Sequence, residues 1–487
     1  MPVTVTVDHL AAVPEPLPDD ALVAVGVRAG GLDEVDGLDP ALAAAAGFTG
    51  EVAQTLVVSL ADGLRLLVGL GADPDAASMR RAAVAAARAA RAATVVVDAL
   101  GSFEGAARRS AAEALAEGLV LGSYRFGAYK EAGDGVRPAA FSVVGKGGQA
   151  VGRAIERGVA VAAAITLVRD LVNTPGGDLT PVAFAAAATD VAADAGLEIE
   201  VLDAEAIAEA RLGGLLGVNR GSSQPPRFVK LVHRPEGRPK ARVALVGKGV
   251  TFDAGGLSIK TAKGMETMKT DMAGAATVLG AMSLVPAVAP KVEVTAYLPL
   301  TDNMLGGDAT RVGDVLRARN GTTIEVLNTD AEGRLILADA LSLAAEDEPD
   351  AIVDLATLTG ACMVALGDRT AGVMGNHDGL RDRVLGAAAD QDEAMWALPM
   401  PGYLRGQLDS DIADLRNIGT APYGGASVAA TFLREFVDGR PWVHLDIAGP
   451  SHTASAHGEY AKGGTGFGVR TLAALLASWT KLSPAEG

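Results

Sequence analysis

The hydrophobic and polar positions fall into two successive series, in which short apolar runs alternate with longer Ala-rich stretches. In the first series, residues 22–27, 54–60, 64–70 and 94–100 are apolar runs of strand length, and residues 75–93 and 105–121 carry the helical pattern. Alternation of this kind predicts a small α/β domain. The first of these helices carries Arg80, Arg81, Arg88 and Arg91. No aromatic residues interleave with them, so they read as a solvated face. A glycine-rich patch at 145–152 then marks a boundary. Residues 151–172 read as one long helix, which Asn173-Thr174-Pro175-Gly176-Gly177 stops, because proline lacks the N–H that a helix uses. In the second series, 182–195 and 204–211 read as helices. Residues 198–202, 228–233, 242–246, 292–298, 324–327, 351–355 and 442–445 read as strands. Near-continuous apolar strands separated by helices predict a sheet covered on both faces. The expected architecture is α/β. A small N-terminal α/β domain (1–148) and a linker helix (149–175) precede a larger C-terminal α/β domain (176–487). The larger domain has a central mixed, largely parallel sheet flanked by helices.

Length and composition narrow the function. A chain of 487 residues exceeds one ordinary core. Its formal charge of −17 argues against general nucleic-acid binding, which needs Lys and Arg to neutralise phosphates. The single cysteine, Cys362, permits no internal disulfide and fits a reducing, cytoplasmic location. It lies in an apolar run and reads as a buried small side chain rather than a nucleophile. The N-terminal stretch 1–10 has no leader pattern, and no apolar run reads as a membrane span.

Candidate chemistry gathers in three stretches. After the strand ending at Val246 comes a segment with Lys248, Asp253 and Lys260 among four glycines (247–260). Ligands of open α/β sheets bind outside the carboxyl ends of strands, and glycine lets backbone approach a ligand closely. The spacing is not that of a phosphate-binding P-loop. Asp271 follows at the start of an apolar helical run, where an N-cap is the plainer role. The third stretch is Asn328-Thr329-Asp330-Ala331-Glu332-Gly333-Arg334-Leu335. Read as extended chain, it sends Asp330 and Glu332 to one side, with Arg334 in reach. A helix start would use the same residue types. Asp253, Asp271, Asp330 and Glu332 packed together would repel unless cations neutralise them, and four carboxylates suffice for two divalent ions about 3.5–4 Å apart. Lys248 could join them only as the neutral amine. None of the six histidines completes a zinc motif.

Together these stretches resemble the cytosol (leucyl) aminopeptidase family of metallopeptidases. Asp354-Leu355-Ala356-Thr357-Leu358-Thr359-Gly360-Ala361, His444-Leu445-Asp446-Ile447-Ala448-Gly449 and Arg169-Asp170-Leu171-Val172-Asn173-Thr174-Pro175 add to the likeness. The resemblance implies that Lys248, Asp253, Asp271 and Glu332 hold one metal. Asp253, Asp330 and Glu332 hold the other, with Asp253 and Glu332 bridging. It implies two divalent ions (Mn or Zn) per subunit, a metal-bridging water, and catalytic roles for Lys260 and Arg334. Lys260 would stabilise the oxyanion. Arg334 would hold a bicarbonate acting as general base. Met268, Thr357, Leu358 and Gly360 would line the substrate cleft. The implied activity is removal of N-terminal, preferably leucine-like residues from peptides by a homohexamer, whose N-terminal domain serves regulation or assembly. From the residues alone, a metal-dependent phosphoesterase stays open, since it too can use carboxylates and two ions. A DNA-binding regulator also stays open, against the negative charge.

Overall fold

The computed structural model describes residues 5–18, 21–61, 63–131 and 138–482. Residues 1–4 of the stretch read for a leader, and the outer ends of both expected domain ranges, lie outside the described residues. The chain divides into two compact units. One holds the residues up to Thr166 together with Ser455–Ala461, and the other holds Leu167–Ala454 and the residues from Lys462 on.

In the first unit six strands form one sheet, in the order Thr6–Leu10, Ala140–Val144, Thr94–Asp98, Ala21–Arg28, Gly63–Gly71, Thr55–Leu60. Neighbours run parallel except the last pair, which is antiparallel. Helices Ala76–Ala89 and Gly105–Ser123 pack against one another. Asp75 caps the first, with its Oδ1 accepting from Ser78 N at 2.8 Å. The solvated-face reading fails for Arg80. Its guanidinium is buried, with Nε 3.0 Å from Glu117 and Nη1 3.5 Å from Glu459. The helix turns this side toward its partner helix and the 455–461 segment, so the charge is sheltered and paired. Arg88 and Arg91 are exposed.

The second unit is built on a mixed, largely parallel sheet of nine strands. Eight follow the order Met395–Ala397, Ala371–Gly375, Trp442–Asp446, Ala351–Ala356, Ala241–Gly247, Val292–Asn303, Arg227–His233, Glu198–Leu202. The middle four are parallel, and antiparallel neighbours flank them on both sides. The ninth strand, Gly249–Asp253, pairs parallel with the end of Val292–Asn303. Alternation along the central strands supplies a core on each face. Ala244, Val246, Ile352 and Trp442 pack with helices Gly213–Asn219, Gly333–Glu346 and Gly425–Arg434. Phe432 and Phe436 lie in this core with ring centroids 5.1 Å apart. Each such fully buried side chain contributes roughly 1.5–3 kcal/mol.

On the opposite face, helix Ala273–Val288 approaches so closely that a Cβ on Gly274 would stand 2.2 Å from the Leu355 carbonyl. The stretch Ala262–Val288 is long and apolar enough to cross a membrane, which the sequence reading passed over. Its most apolar window is 78% buried inside the fold, so its hydrophobicity is that of a core helix. One expected strand belongs elsewhere. Thr323–Glu325 lies in a separate three-stranded sheet with Val315–Arg317 and Leu415–Arg416. A tight turn at residues 318–322 pairs it with its sequence neighbour, so its hydrogen-bonding edges never reach the large sheet.

Candidate metal centre

Four stretches meet where the parallel strands end. Lys248 directly follows strand Ala241–Gly247, and the neighbouring strand Ala351–Ala356 ends level with it, Leu355 opposite Gly247. The Lys248 ammonium donates to the Thr357 carbonyl at 2.9 Å and lies 2.9 Å from Asp271 Oδ1 and 2.8 Å from Glu332 Oε1. Asp253 closes the short strand Gly249–Asp253, in register with Asn303, whose amide donates to Asp253 Oδ1 at 2.8 Å. Lys260 Nζ sits 2.8 Å from Asp253 Oδ2 and also contacts Asp330 Oδ1.

The local conformations differ from those the sequence suggests. Asp271 is not a helix cap. The helix starts at Ala273 after Met272, with no side-chain cap bond, and Asp271 Oδ1 instead accepts from Thr357 Oγ1 at 2.7 Å. Nor are Asp330 and Glu332 on extended chain. Residues 329–330 form a turn, held by Asp330 N donating to Asn328 Oδ1 at 2.8 Å. Glu332 has helical angles (φ −78°, ψ −35°). It takes the N-cap position without a cap bond, because its carboxylate is turned to Lys248. The turn, not the two-residue spacing, brings the acids together. One oxygen from each of Asp253, Asp330 and Glu332 lies within 4.8 Å of the others.

Four carboxylates thus face two ammonium groups in a buried space. Burial, the larger cause, raises the carboxyls of Asp253, Asp271 and Asp330, and the lysines only partly oppose it. Burial alone would lower Lys248, but Asp271, Glu332 and Asp253 outweigh it and hold the ammonium above its ordinary range. The same balance, led by Asp253, raises Lys260. Here the lysines serve as counter-ions, and Lys248 would have to give up its proton to become a ligand. Asp271 Oδ2 is buried with no hydrogen-bond partner among the described residues. Asp330 Oδ1 and Glu332 Oε1 touch an ammonium without a well-directed hydrogen bond. A surplus of buried, incompletely satisfied carboxylate oxygens is a donor set that suits divalent cations.

Arg334 stands one residue inside the helix. Its Nη1 donates to the Asn417 carbonyl at 2.7 Å, and its buried Nε has no partner among the described residues. Burial pulls this guanidinium down to about 10, with Glu332 and Asp446 opposing. Thr357 joins the cluster through both its carbonyl and its hydroxyl. Leu358 is half-buried, while Gly360 is exposed at the start of helix Gly360–Leu366. Met268 is half-buried in the short turn Met268–Thr270 before Asp271.

Sequence reasoning missed Asn303 and Asn417, which hold these groups in place. Asn303 also donates to the Thr329 carbonyl, at 3.0 Å. Thr329 Oγ1 donates to the Gly255 carbonyl at 2.7 Å and accepts from Ser258 N at 2.8 Å. The fully buried Asn417 accepts from Leu327 N at 2.9 Å and donates to the Asn328 carbonyl at 2.7 Å. His444 is likewise buried, with Nδ1 2.6 Å from Asp354, which also accepts from Trp442 Nε1 at 2.6 Å. Long-range pairs of this kind leave no spacing signal in the chain.

Residues 166–473 match the catalytic domain of the cytosol aminopeptidase family, and residues 29–133 match its N-terminal domain. A probable cytosol aminopeptidase of Streptomyces coelicolor is 45% identical over 504 residues, covering 95% of this chain and 96% of the relative. Its namesake in Streptomyces avermitilis is 47% identical over 477 residues, 92% of each. Among solved structures, the bottromycin maturation enzyme BotP in complex with Mn is 40% identical with a TM-score of 0.86, covering 94% of this chain and 99% of that one. A mutant tomato leucine aminopeptidase is 34% identical with a TM-score of 0.87, covering 97% and 96%. Sequence, fold and the acid-rich centre agree: the chain belongs to the cytosol aminopeptidase family, a family of metal-dependent aminopeptidases.

Proposed function

We propose that this protein uses two metal ions to remove N-terminal residues, preferably leucine-like ones, from short peptides. The observation that carries the reading is the convergence of Lys248, Asp253, Lys260, Asp271, Asp330 and Glu332 on one buried cluster at the carboxyl ends of the strands. Asp253, Asp271, Asp330 and Glu332, with Lys248 once neutral, would hold two divalent ions, manganese or zinc, with Asp253 and Glu332 shared. Such ions, when bound, polarise a carbonyl and lower the pKa of water to about 7. Lys260 keeps an ammonium at the edge of the acids, where it donates to the oxyanion that develops as the peptide carbonyl is attacked. The unpartnered Nε of Arg334 suits a bicarbonate, held as proton acceptor for the attacking water. Met268, Thr357, Leu358 and Gly360 would receive the peptide, with the apolar Met268 and Leu358 favouring an apolar first side chain. Short peptides as substrates, a homohexameric assembly served by the N-terminal unit, and a cytoplasmic location belong to the same reading and rest on the family resemblance.

The test is release of p-nitroaniline from leucyl p-nitroanilide. Turnover should be lost with a chelator, return with Mn2+, and be absent on phosphate esters. Asp330→Ala and Glu332→Ala should each abolish it. Undiminished turnover in either variant would sink the assignment.

A further inference from the structure

We propose that Asp446 is a positioning residue that fixes the loop at residues 357–360 for substrate, an inference that rests on the aminopeptidase reading above. Strands Ala351–Ala356 and Trp442–Asp446 are adjacent and parallel, and they end level with one another, Ala356 opposite Asp446. The Asp446 carboxylate therefore stands where the neighbouring chain leaves the sheet. Its Oδ1 accepts from Leu358 N at 3.2 Å and from Ala448 N at 3.2 Å. Its Oδ2 accepts from Thr359 Oγ1 at 2.7 Å. That hydroxyl in turn accepts from Cys362 N at 3.0 Å and caps helix Gly360–Leu366. One carboxylate thus orders the middle of the loop, the cap of the helix after it and the start of the chain beyond its own strand.

The other end of the loop is tied to the acids. Thr357 donates to Asp271 and accepts from Lys248. Leu358, between these ties, is half-buried like Thr357, and Gly360 beyond them is exposed. Asp446 itself is fully buried and bonds to none of the four acids or two lysines of the cluster, so it acts through the loop. A buried carboxylate is costly unless it is hydrogen-bonded. A side chain serving only to fill this space would be cheaper as an apolar one. The donors it gathers are those of the loop, which is why its service is positional.

Steady-state kinetics of Mn-loaded protein on leucyl p-nitroanilide and on a leucyl dipeptide test this, with metal content and Tm measured alongside. Asp446→Ala should raise KM about tenfold and leave kcat within about threefold, since it removes contacts that align substrate before and during reaction alike. Thr359→Val removes one of the bonds and should raise KM about threefold. Asp446→Asn keeps one acceptor oxygen and should recover most of the loss. Metal content should not change. A lower Tm or a smaller active fraction with KM unchanged overturns the proposal, because that is what a purely structural role predicts. Loss of metal in Asp446→Ala overturns it as well. If Asp446→Ala does not fold, an unchanged KM in Thr359→Val is decisive against it. Wild-type protein that turns over neither substrate overturns the aminopeptidase reading, and this inference with it.

Discussion

Asn417→Leu isolates how far the acid-bearing loop at residues 327–332 depends on a residue outside it. The side-chain amide accepts from Leu327 N at 2.9 Å and Asn328 N at 3.3 Å, and donates to the carbonyls of Asn328 at 2.7 Å and Ala331 at 3.4 Å. Leucine fills the volume and removes all four bonds. It keeps the backbone carbonyl that receives Arg334. Two of the four bonds are short and two are long, so the short pair dominates. A buried polar group left without a partner costs about 1–3 kcal/mol. Leu327 and Asn328 are only half-buried, and water can reach part of what is lost, so the lower end applies to each. The loop then loses about 2 kcal/mol of preference for the conformation that presents Asp330 and Glu332, and Mn2+ affinity falls about 30-fold. Competition against a fluorescent chelator measures this directly, with Asp330→Ala as the positive control. Affinity within about threefold of wild type in a folded Asn417→Leu protein would refute the reasoning. It would mean that the acids find their places without the clamp.

Other perturbations separate roles that lie close together. Lys260→Ala should retain its metal but lose about 10²–10³ in kcat, as for removal of one oxyanion donor; metal loss instead would contradict the role given to it. Burial pushes the Cys362 thiol up to about 12, so iodoacetamide at pH 8 should leave native protein unlabelled and label it fully after denaturation. Burial also holds the Asp339 carboxyl up to about 7, from an ordinary 3.8, even though Leu215 N and Arg319 N donate to it. Between those values the folded chain keeps a proton that the unfolded chain has released, so this residue makes stability fall as pH rises. In urea titrations Asp339→Asn should flatten that slope across the same window, and identical slopes would count against it.

The α/β alternation and the carboxyl-end location of the site were legible because apolar periodicity and glycine-rich strand exits are local, whereas the strands Thr6–Leu10, Ala140–Val144, Gly249–Asp253, Ala371–Gly375 and Met395–Ala397 were missed. The six charged residues of the cluster were legible for a different reason. The acids sit at strand exits and helix starts of one sheet, where ligands of such sheets bind, and the family resemblance gave them and the two lysines their roles. The cap expected of Asp271 is absent, and of the two readings open for Glu332 the helix start holds and the extended chain does not. A helix start predicts a cap bond, and here Lys248 draws both carboxylates away from it. Strand 324–327 was assigned to the wrong sheet, since hydrophobic pattern identifies a strand but not its neighbours. Asn303 and Asn417 carried no signal at all, and Asp446 stood out only as part of the stretch His444–Gly449, with no role attached to it. Asn and Asp are ordinary loop and strand-end residues, and their partners lie far away in the chain, 90 residues in the case of Leu327 and Asn417.

Gly333 draws the local and the tertiary arguments together. Glycine in a helix costs about 1 kcal/mol against alanine, so propensity disfavours it as the first residue of Gly333–Glu346. No turn of the backbone demands it there, because it is absent from the residues with positive φ. What demands it is space. A Cβ at 333 would stand 2.6 Å from Lys248 Cε and 2.7 Å from its Nζ. The lysine end lies against the start of the helix, where its ammonium contacts Glu332 and Asp271 together. A break in a local rule within residues 328–335 therefore marks a contact between strand exit and helix start that neither stretch records alone. The same logic explains why Lys248 and the acid-bearing turn are found together. A side chain at 333 would therefore push the end of the Lys248 side chain from its place between Glu332 and Asp271.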